Sequence, residues 1–451
     1  MRFEDLHHSR VAILGMGREG QAVWREIRKR FPAKPLDLFT ESILDEQLAR
    51  QLVEGLDRHI LGPLELESLG QYDVLVRSAG ISPYRNELRQ LKSGTVKFTT
   101  ACNLWFAENP QAKTICISGT MGKSTTAALT AHLLNCAGFS TCLAGNIGKP
   151  MLDCDTQDID WWVLELSSYQ LADLEASPEV AVLLNLSAEH LDWHGGYERY
   201  TRDKLRLADL AGNGRIVANY ADPYLREQLT WHSGISWFNH ERGWWARIAE
   251  VDSHDGSRVK APAALRGQHN MHNLAAVLTL LDKLNIEVPN MDQALASFEG
   301  LPHRLQLIGE NAGVRYVNDS ISTTPVSVTA ALETIGHEDV VLLLGGMDRG
   351  LEWDSFAAGV AAYLPHAIIT LPDNGPKIFA SLERAGMSPA GGLHQAINLE
   401  DAVVLAQDLV PAGGCILLSP GAPSFPHFRD YIDRGNRFSQ LAGIENDARN
   451  P

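Results

Sequence analysis

The sequence predicts an α/β protein made of three parallel-sheet domains. Three observations predict it. Short apolar runs recur at 11–14, 114–118, 180–186, 340–344 and 415–418, and each ends in glycines or polar side chains; buried parallel strands read this way. Helical patterns lie between the runs, so strand and helix alternate. The 451 residues are enough for roughly three domains of ordinary size.

Composition narrows the function before any motif does. The net charge of −16 argues against nucleic acid as the main partner, because phosphate backbones attract clustered Lys and Arg. It suits a soluble cytoplasmic protein. Cys102, Cys116, Cys136, Cys142, Cys154 and Cys415 form no CxxC pair, and they are expected as reduced core residues. Met1-Arg2-Phe3-Glu4-Asp5 lacks the shape of a signal peptide, and no apolar run approaches membrane-spanning length.

Near the N-terminus, the 11–14 run enters Gly15-Met16-Gly17-Arg18-Glu19-Gly20 and then a helix through Ala22, Val23 and Ile27. This is a G-x-G-x-x-G between strand and helix, a dinucleotide fingerprint. A second strand at 36–39 ends at Thr40-Glu41, where a ribose-binding acid would stand. A third at 73–76 enters Arg77-Ser78-Ala79-Gly80, whose backbone N–H groups could hold a pyrophosphate. Taken alone this suggests NAD; a tight packing turn would read the same way.

The densest chemistry lies at Thr114-Ile115-Cys116-Ile117-Ser118-Gly119-Thr120-Met121-Gly122-Lys123-Ser124-Thr125-Thr126. A buried strand turns through two glycines into an apolar-periodic helix. Glycines let backbone N–H groups close around phosphate oxygens, the helix N-terminus favours negative charge, Lys123 adds a cation, and the Ser124 hydroxyl can hold Mg²⁺. The generic phosphate loop has a glycine six residues before its lysine; here Ile117 stands there.

Downstream strand ends carry further candidates. Gly145-Asn146-Ile147-Gly148 is a polar glycine loop. Glu165 ends an apolar run, where an acid is costly unless paired, so Mg²⁺ is its natural partner near a phosphate loop. His190 follows the 180–186 run, as a metal ligand or phosphate contact. Lys204 lies on an amphipathic helix over 197–210 and by itself reads as a surface lysine. Gln268-His269-Asn270 opens another helix, whose amides could grip a base or phosphate, or cap the helix. Leu301-Pro302-His303-Arg304 reads as a hinge into a last α/β domain. Its strands end at Asn318-Asp319-Ser320, Gly345-Gly346-Met347-Asp348-Arg349-Gly350 and Ser419-Pro420-Gly421-Ala422-Pro423-Ser424.

The order of motifs says more than any one of them. Gly-Thr-Met-Gly-Lys-Ser-Thr is followed by Gly-Asn-Ile-Gly, Leu-Glu-Leu-Ser-Ser-Tyr-Gln, Glu-His-Leu-Asp, Asp-Lys-Leu, Gly-Gln-His-Asn, Leu-Pro-His-Arg, Asn-Asp-Ser and Leu-Ser-Pro. This series resembles the muramyl ligases of peptidoglycan synthesis over nearly the whole chain. Within them it is most similar to the MurD-type branch, which adds glutamate to UDP-N-acetylmuramoyl-L-alanine. The resemblance implies a UDP-binding Rossmann-like domain at 1–102, a central ATP-binding domain at 103–302 and a Rossmann-like C-terminal domain at 303–451. It reassigns the glycine fingerprint from NAD to UDP, and it implies ATP and Mg²⁺ as cofactors and a cytoplasmic monomer that neither inserts into a membrane nor binds nucleic acid.

It further implies that ATP lies on Gly119, Thr120, Met121, Gly122, Lys123, Ser124, Thr125 and Thr126 and meets Asn270, Arg304 and Asp319. Ser124 and Glu165 hold one Mg²⁺. His190 holds a second, bridged by Lys204, which is commonly carbamylated in this family. Lys123, His190 and Lys204 are the catalytic candidates. Gly17, Arg18, Thr40, Ser78, Gly80 and Asn146 line the UDP-sugar site.

The departures from the family pattern cluster on the side of the incoming amino acid. Ile321-Ser322-Thr323-Thr324-Pro325 replaces Lys-Ala-Thr-Asn, Gly-Gly-Met-Asp-Arg replaces Gly-Gly-Asp-Gly-Lys, and Met121 replaces a polar residue. Arg349 can grip a carboxylate through two parallel N–H bonds, which a lysine cannot. These changes resemble the variant of the branch that adds L-glutamate, with Thr323, Arg349, Ser424 and Tyr431 as its contacts. The ordinary D-glutamate reaction is the alternative. An NAD-dependent oxidoreductase, a folylpolyglutamate-type ligase and a non-catalytic ATP switch are more distant ones.

Overall fold

The computed structural model describes residues 1–265, 267–337 and 339–444. The chain divides into two compact units, Met1–Ala261 with Gln268–Phe298 and Pro262–Gly267 with Glu299–Pro451.

The first unit holds two parallel sheets. In the N-terminal one the strand order is Asp57–Leu61, Leu36–Thr40, Val11–Leu14, Val74–Arg77, Lys97–Thr100, all parallel. Val11–Leu14 and Val74–Arg77 are buried along their whole length, as central strands covered on both faces must be. The chain leaves them in opposite directions, so their C-terminal loops frame a crevice at the switch point of the sheet. Gly15 turns with φ +85°, and a side chain at Gly20 would strike the Gly15 carbonyl. The Arg18–Arg30 helix therefore starts tight against its strand.

The second sheet runs Ser236–Phe238, Ile216–Asn219, Val180–Leu183, Thr114–Ser118, Trp161–Glu165, Thr141–Gly145, again all parallel. Its centre, Thr114–Ser118, is fully buried. The expected strand over 180–186 stops at Leu183. Leu184 still donates to the Ser118 carbonyl, but Asn185 turns away to bond the phosphate loop. A three-stranded antiparallel sheet, Trp244–Ala246, Glu250–Ser253 and Arg258–Lys260, has no counterpart in the sequence reading; strands this short carry too few alternations to register.

The second unit carries one six-stranded sheet, ordered Gln306–Asn311, Val314–Asn318, Cys415–Leu418, Val340–Leu344, Ala367–Thr370, Leu393–Gln395. Only the first pair is antiparallel. Its hairpin turns through Ala312 and Gly313, both at positive φ, the geometry that matches strand twist.

Among the described residues no helix is long and apolar enough to cross a membrane. All six cysteines are free thiols. The expectation of six core residues holds for Cys102, Cys116 and Cys415; Cys142 and Cys154 are half-buried, and Cys136, the last residue of the Lys123–Cys136 helix, is exposed.

Candidate functional site

The phosphate loop is held in shape by bonds from every side. Gly122 sits in the left-handed region at φ +84°, and a Cβ there would run into the Asn273 side chain; only glycine fits. Thr120 N–H donates to the Asn185 carbonyl at 2.9 Å. The Asn185 amide then reads both sides of Met121, accepting from its N–H at 2.9 Å and donating to its carbonyl at 3.0 Å. The Thr120 hydroxyl bonds Tyr200 Oη at 2.6 Å and accepts from Ser187 N–H at 2.9 Å. Lys123 Nζ donates to the Thr120 carbonyl at 2.6 Å. Ser124 is half-buried in the first turn of the helix, with Thr125 and Thr126 buried behind it. The N-terminal amides of the Lys123–Cys136 helix thus face one concave loop, the arrangement that receives an anion.

Two charged side chains are buried beside this loop. Glu165, at the end of its strand, is 1% exposed. Its Oε1 accepts from Asn146 Nδ2 at 2.7 Å, while Oε2 is buried with no partner among the described residues. A carboxylate oxygen left so is destabilising by itself. Lys204 is 2% exposed, and its Nζ donates to the Gly119 carbonyl at 2.7 Å. Burial, helped by the nearby Lys123 charge, pushes this amine well below the usual lysine range. The surface position expected from its helix alone is thus corrected: the inner face of Tyr197–Ala211 carries Lys204 onto the loop. His190 takes a left-handed backbone conformation at φ 55°. His190 is exposed, yet partial desolvation by the surrounding protein lowers its pKa, with the Lys204 and Lys123 charges acting in the same direction and the Glu189 charge against them. Lys123, Glu165, His190 and Lys204 therefore share one electrostatic neighbourhood. Asn270 is buried in the first turn of the Gln268–Leu284 helix, where its Oδ1 accepts from Asn273.

A cavity of about 260 Å³ opens beside Gly17, Arg18, Ser78, Gly80 and Asn146. Arg18 bridges its two walls, donating to the Gly148 and Asn146 carbonyls at 3.2 and 3.4 Å. Glu19, which the motif reading left unassigned, accepts from Gln170 Nε2 at 2.6 Å and from Ala79 N–H at 3.3 Å. Thr40 does not line this cavity; its hydroxyl donates to the Ser42 carbonyl at 2.7 Å and bonds His59 Nε2 at 2.6 Å. Glu41, where a dinucleotide ribose would need a carboxylate, is held by Arg85 at 2.6 and 3.0 Å. That bidentate pairing keeps its carboxyl below the usual range and occupies it.

In the second unit, three adjacent strands deliver their C-terminal loops to one edge. These loops carry Asp319 and Thr323, Arg349, and Ser424. Arg349 is exposed, Thr323 half-buried and Ser424 buried; Tyr431 opens the Tyr431–Leu441 helix. The sequence reading passed over Arg434. It is 1% exposed and donates to the Ser320 hydroxyl at 3.0 Å and to the Ser320 and Ala422 carbonyls at 2.8 and 2.9 Å, tying two of the loops together from behind. Arg304 has a buried Nε without a partner among the described residues.

Asp319 accepts from the Ser419 hydroxyl at 2.8 Å and from Leu305 N–H at 3.1 Å. Burial nevertheless pushes its carboxyl up to about 7 from 3.8. The folded state therefore holds this proton more tightly than the unfolded chain, and stability falls as pH rises from about 4 to about 7. Asp319→Asn is expected to raise the melting temperature of the ligand-free protein at pH 8 by a few degrees, on the order expected for 1–3 kcal/mol. The gain should vanish near pH 4. Thermal melts across that range check it; a variant less stable than the parent at pH 8 counts against it.

Comparison with known proteins agrees along the chain. Residues 117–281 match the Mur ligase middle domain and residues 303–421 the Mur ligase glutamate ligase domain. The chain is similar to a UDP-N-acetylmuramoyl-L-alanine--L-glutamate ligase of Xanthomonas oryzae pv. oryzae, 43% identical over 99% of this chain and 97% of that one. A protein of the same name from Salinispora tropica is 35% identical, over 98% of each. Among solved structures, MurC of Thermotoga maritima covers 96% of this chain and 99% of its own at a TM-score of 0.60 and 18% identity. MurF of the same organism, in complex with ADP, covers 96% and 93% at 0.61 and 18%. These last two share the fold. With relatives this similar over nearly its full length, the chain belongs to the Mur ligase family.

Proposed function

We propose that this protein uses ATP to join L-glutamate to UDP-N-acetylmuramoyl-L-alanine through an acyl phosphate, in peptidoglycan synthesis. The observation that carries the reading is the phosphate loop with Lys123 on it and Glu165 and Lys204 buried beside it. In this reading residues 1–102 hold the UDP end, 103–302 bind ATP, and 303–451 bring glutamate and further ATP contacts, in a cytoplasmic monomer. Asn270, Arg304 and Asp319 are the further nucleotide contacts.

The reaction needs ATP because a carboxylate and an amine do not condense readily in water. The alanyl carboxylate attacks the γ-phosphorus, the bond to ADP breaks, and an acyl phosphate forms. The glutamate amine then adds to the carbonyl, phosphate leaves from the tetrahedral intermediate, and the nitrogen gives up a proton. Loop amides and Lys123 balance the phosphate charge and hold the groups in line, which supplies most of the catalysis in phosphoryl transfer.

Mg²⁺ fits the residues present. Among the described residues no cluster of three His, Cys, Asp or Glu side chains forms a ready cage. Mg²⁺ rarely uses one; it takes one or two carboxylates, with waters and substrate phosphates completing the shell. The partnerless Glu165 oxygen suits such an ion, with Ser124, His190 and Lys204 as the other candidate ligands. When bound, the ion would neutralise charge on the transferred group. Burial of Lys204 lowers its pKa and so favours the neutral amine, the form that can take up CO₂, which is consistent with carbamylation of Lys204.

L-glutamate is favoured over D-glutamate by Arg349 at the exposed tip of its loop and by the names of the relatives. Handedness moves the carboxylates, so the anchors must move with them. Phosphate release with each enantiomer is expected to show a kcat/KM at least about 100-fold higher for the L-form, as a site with charge-assisted contacts can discriminate. Preference for the D-form returns the protein to the commoner reaction.

A further inference from the structure

A buried polar chain in the first unit is used by none of the steps above. Tyr84 Oη donates to Asp203 Oδ1 at 2.6 Å. Asp203 Oδ2 lies 2.7 Å from His194 Nδ1, and His194 Nε2 lies 2.9 Å from the Ser168 hydroxyl. His194 is 0% exposed and Asp203 3%. A carboxylate accepts only, so Nδ1 donates to Asp203. Tyr84, Asp203, His194 and Ser168 are thereby joined in one continuous buried chain.

Its ends are what matter. Tyr84 lies on the loop after the Val74–Arg77 strand, which also supplies Ser78 and Gly80 to the cavity. Asp203 precedes Lys204 on its helix, and Ser168 stands three residues beyond Glu165. Two more bonds run in parallel. Ser82 Oγ donates to the Trp193 carbonyl at 2.6 Å, and Trp193 Nε1 donates to the Gly80 carbonyl at 3.1 Å. The Trp193 ring stacks on cavity-lining Tyr169 at 4.2 Å between centroids. The loop that lines the cavity and the segment that carries His190 and Lys204 are thus fastened together at three points.

We propose that Tyr84, Asp203 and His194 are positioning residues through which an occupied sugar-nucleotide cavity sets the placement of Lys204 and His190, so that nucleotide sugar and ATP strengthen each other's binding. This rests on the ligase reading. An unbroken chain of buried hydrogen bonds ties the two ends. The coupling is reciprocal by thermodynamic necessity.

The test uses the full-length protein and two variants, Tyr84→Phe and Asp203→Asn. Phosphate release that needs both UDP-N-acetylmuramoyl-L-alanine and glutamate first establishes the ligase reading in the parent; its absence removes that reading. Calorimetry then gives the dissociation constant of UDP-N-acetylmuramoyl-L-alanine with and without a non-hydrolysable ATP analogue and Mg²⁺. In the parent the analogue is expected to tighten binding about fivefold or more. In both variants that ratio should fall to within about twofold of one, while melting curves and the affinity for the sugar nucleotide alone change little. Tyr84→Phe keeps the ring and removes one hydroxyl, so it guards against a folding defect in Asp203→Asn. A parent without coupling, or variants that keep the parent's ratio, overturns the proposal.

Discussion

Lys123→Ala is expected to lower amino-acid-dependent phosphate release by about 100- to 1000-fold, the usual cost of losing one charge aimed at a developing anion in a water-poor site. The lysine lies at the mouth of the loop, its Nζ donating to the Thr120 carbonyl. The loop's shape depends on other bonds, from Asn185, Tyr200 and Ser187. The variant should therefore fold and melt close to the parent while failing to turn over. Steady-state phosphate release with both substrates, beside a melting curve, measures it. Turnover within tenfold of the parent would remove the phosphate loop from the chemistry and with it the ligase reading.

Glu165→Gln is expected to act in opposite directions on activity and stability. The parent buries an oxygen with no partner among the described residues, an arrangement that a cation arriving in the working state would compensate. Turnover should fall at least about 100-fold, because an ion that balances phosphoryl charge is worth several kcal/mol. The ligand-free variant should melt about one to a few degrees higher, since a buried carboxylate is replaced by a neutral amide whose carbonyl can still accept from Asn146. Added Mg²⁺ and an ATP analogue should raise the parent's melting point more than the variant's. Equal activity, or a variant that melts clearly lower, would mean that Glu165 is a structural carboxylate.

Much of this site could be read from the chain because parallel sheets put their chemistry at strand ends. Once the 114–118 and 161–165 runs are recognised as strands, Lys123 and Glu165 must lie near one edge. What could not be read depended on side chains meeting across the fold. Lys204 has a surface lysine's spacing, and its burial arises only when Tyr197–Ala211 packs beside Gly119. Asn185 lies inside an apolar run that reads as strand; its side chain instead mirrors the Met121 backbone. Thr40 matched the ribose position of a fingerprint, yet His59 on the neighbouring strand claims its hydroxyl. Arg434 had no pattern to betray it, since a buried ion needs partners far apart in sequence; Asp203 stood in the Asp-Lys-Leu motif, but its bond to Tyr84 arises only in the fold.

The guanidinium of Arg434 has an evolutionary consequence. It fastens the turns at Ser320 and Ala422 through backbone carbonyls and one hydroxyl, so this edge of the sheet keeps its frame whatever half-buried or exposed side chains, such as Thr323 and Arg349, are displayed on it. In the proposed reading, a lineage could exchange one amino acid for its mirror image by rewriting those side chains while the rivet beneath them stays untouched.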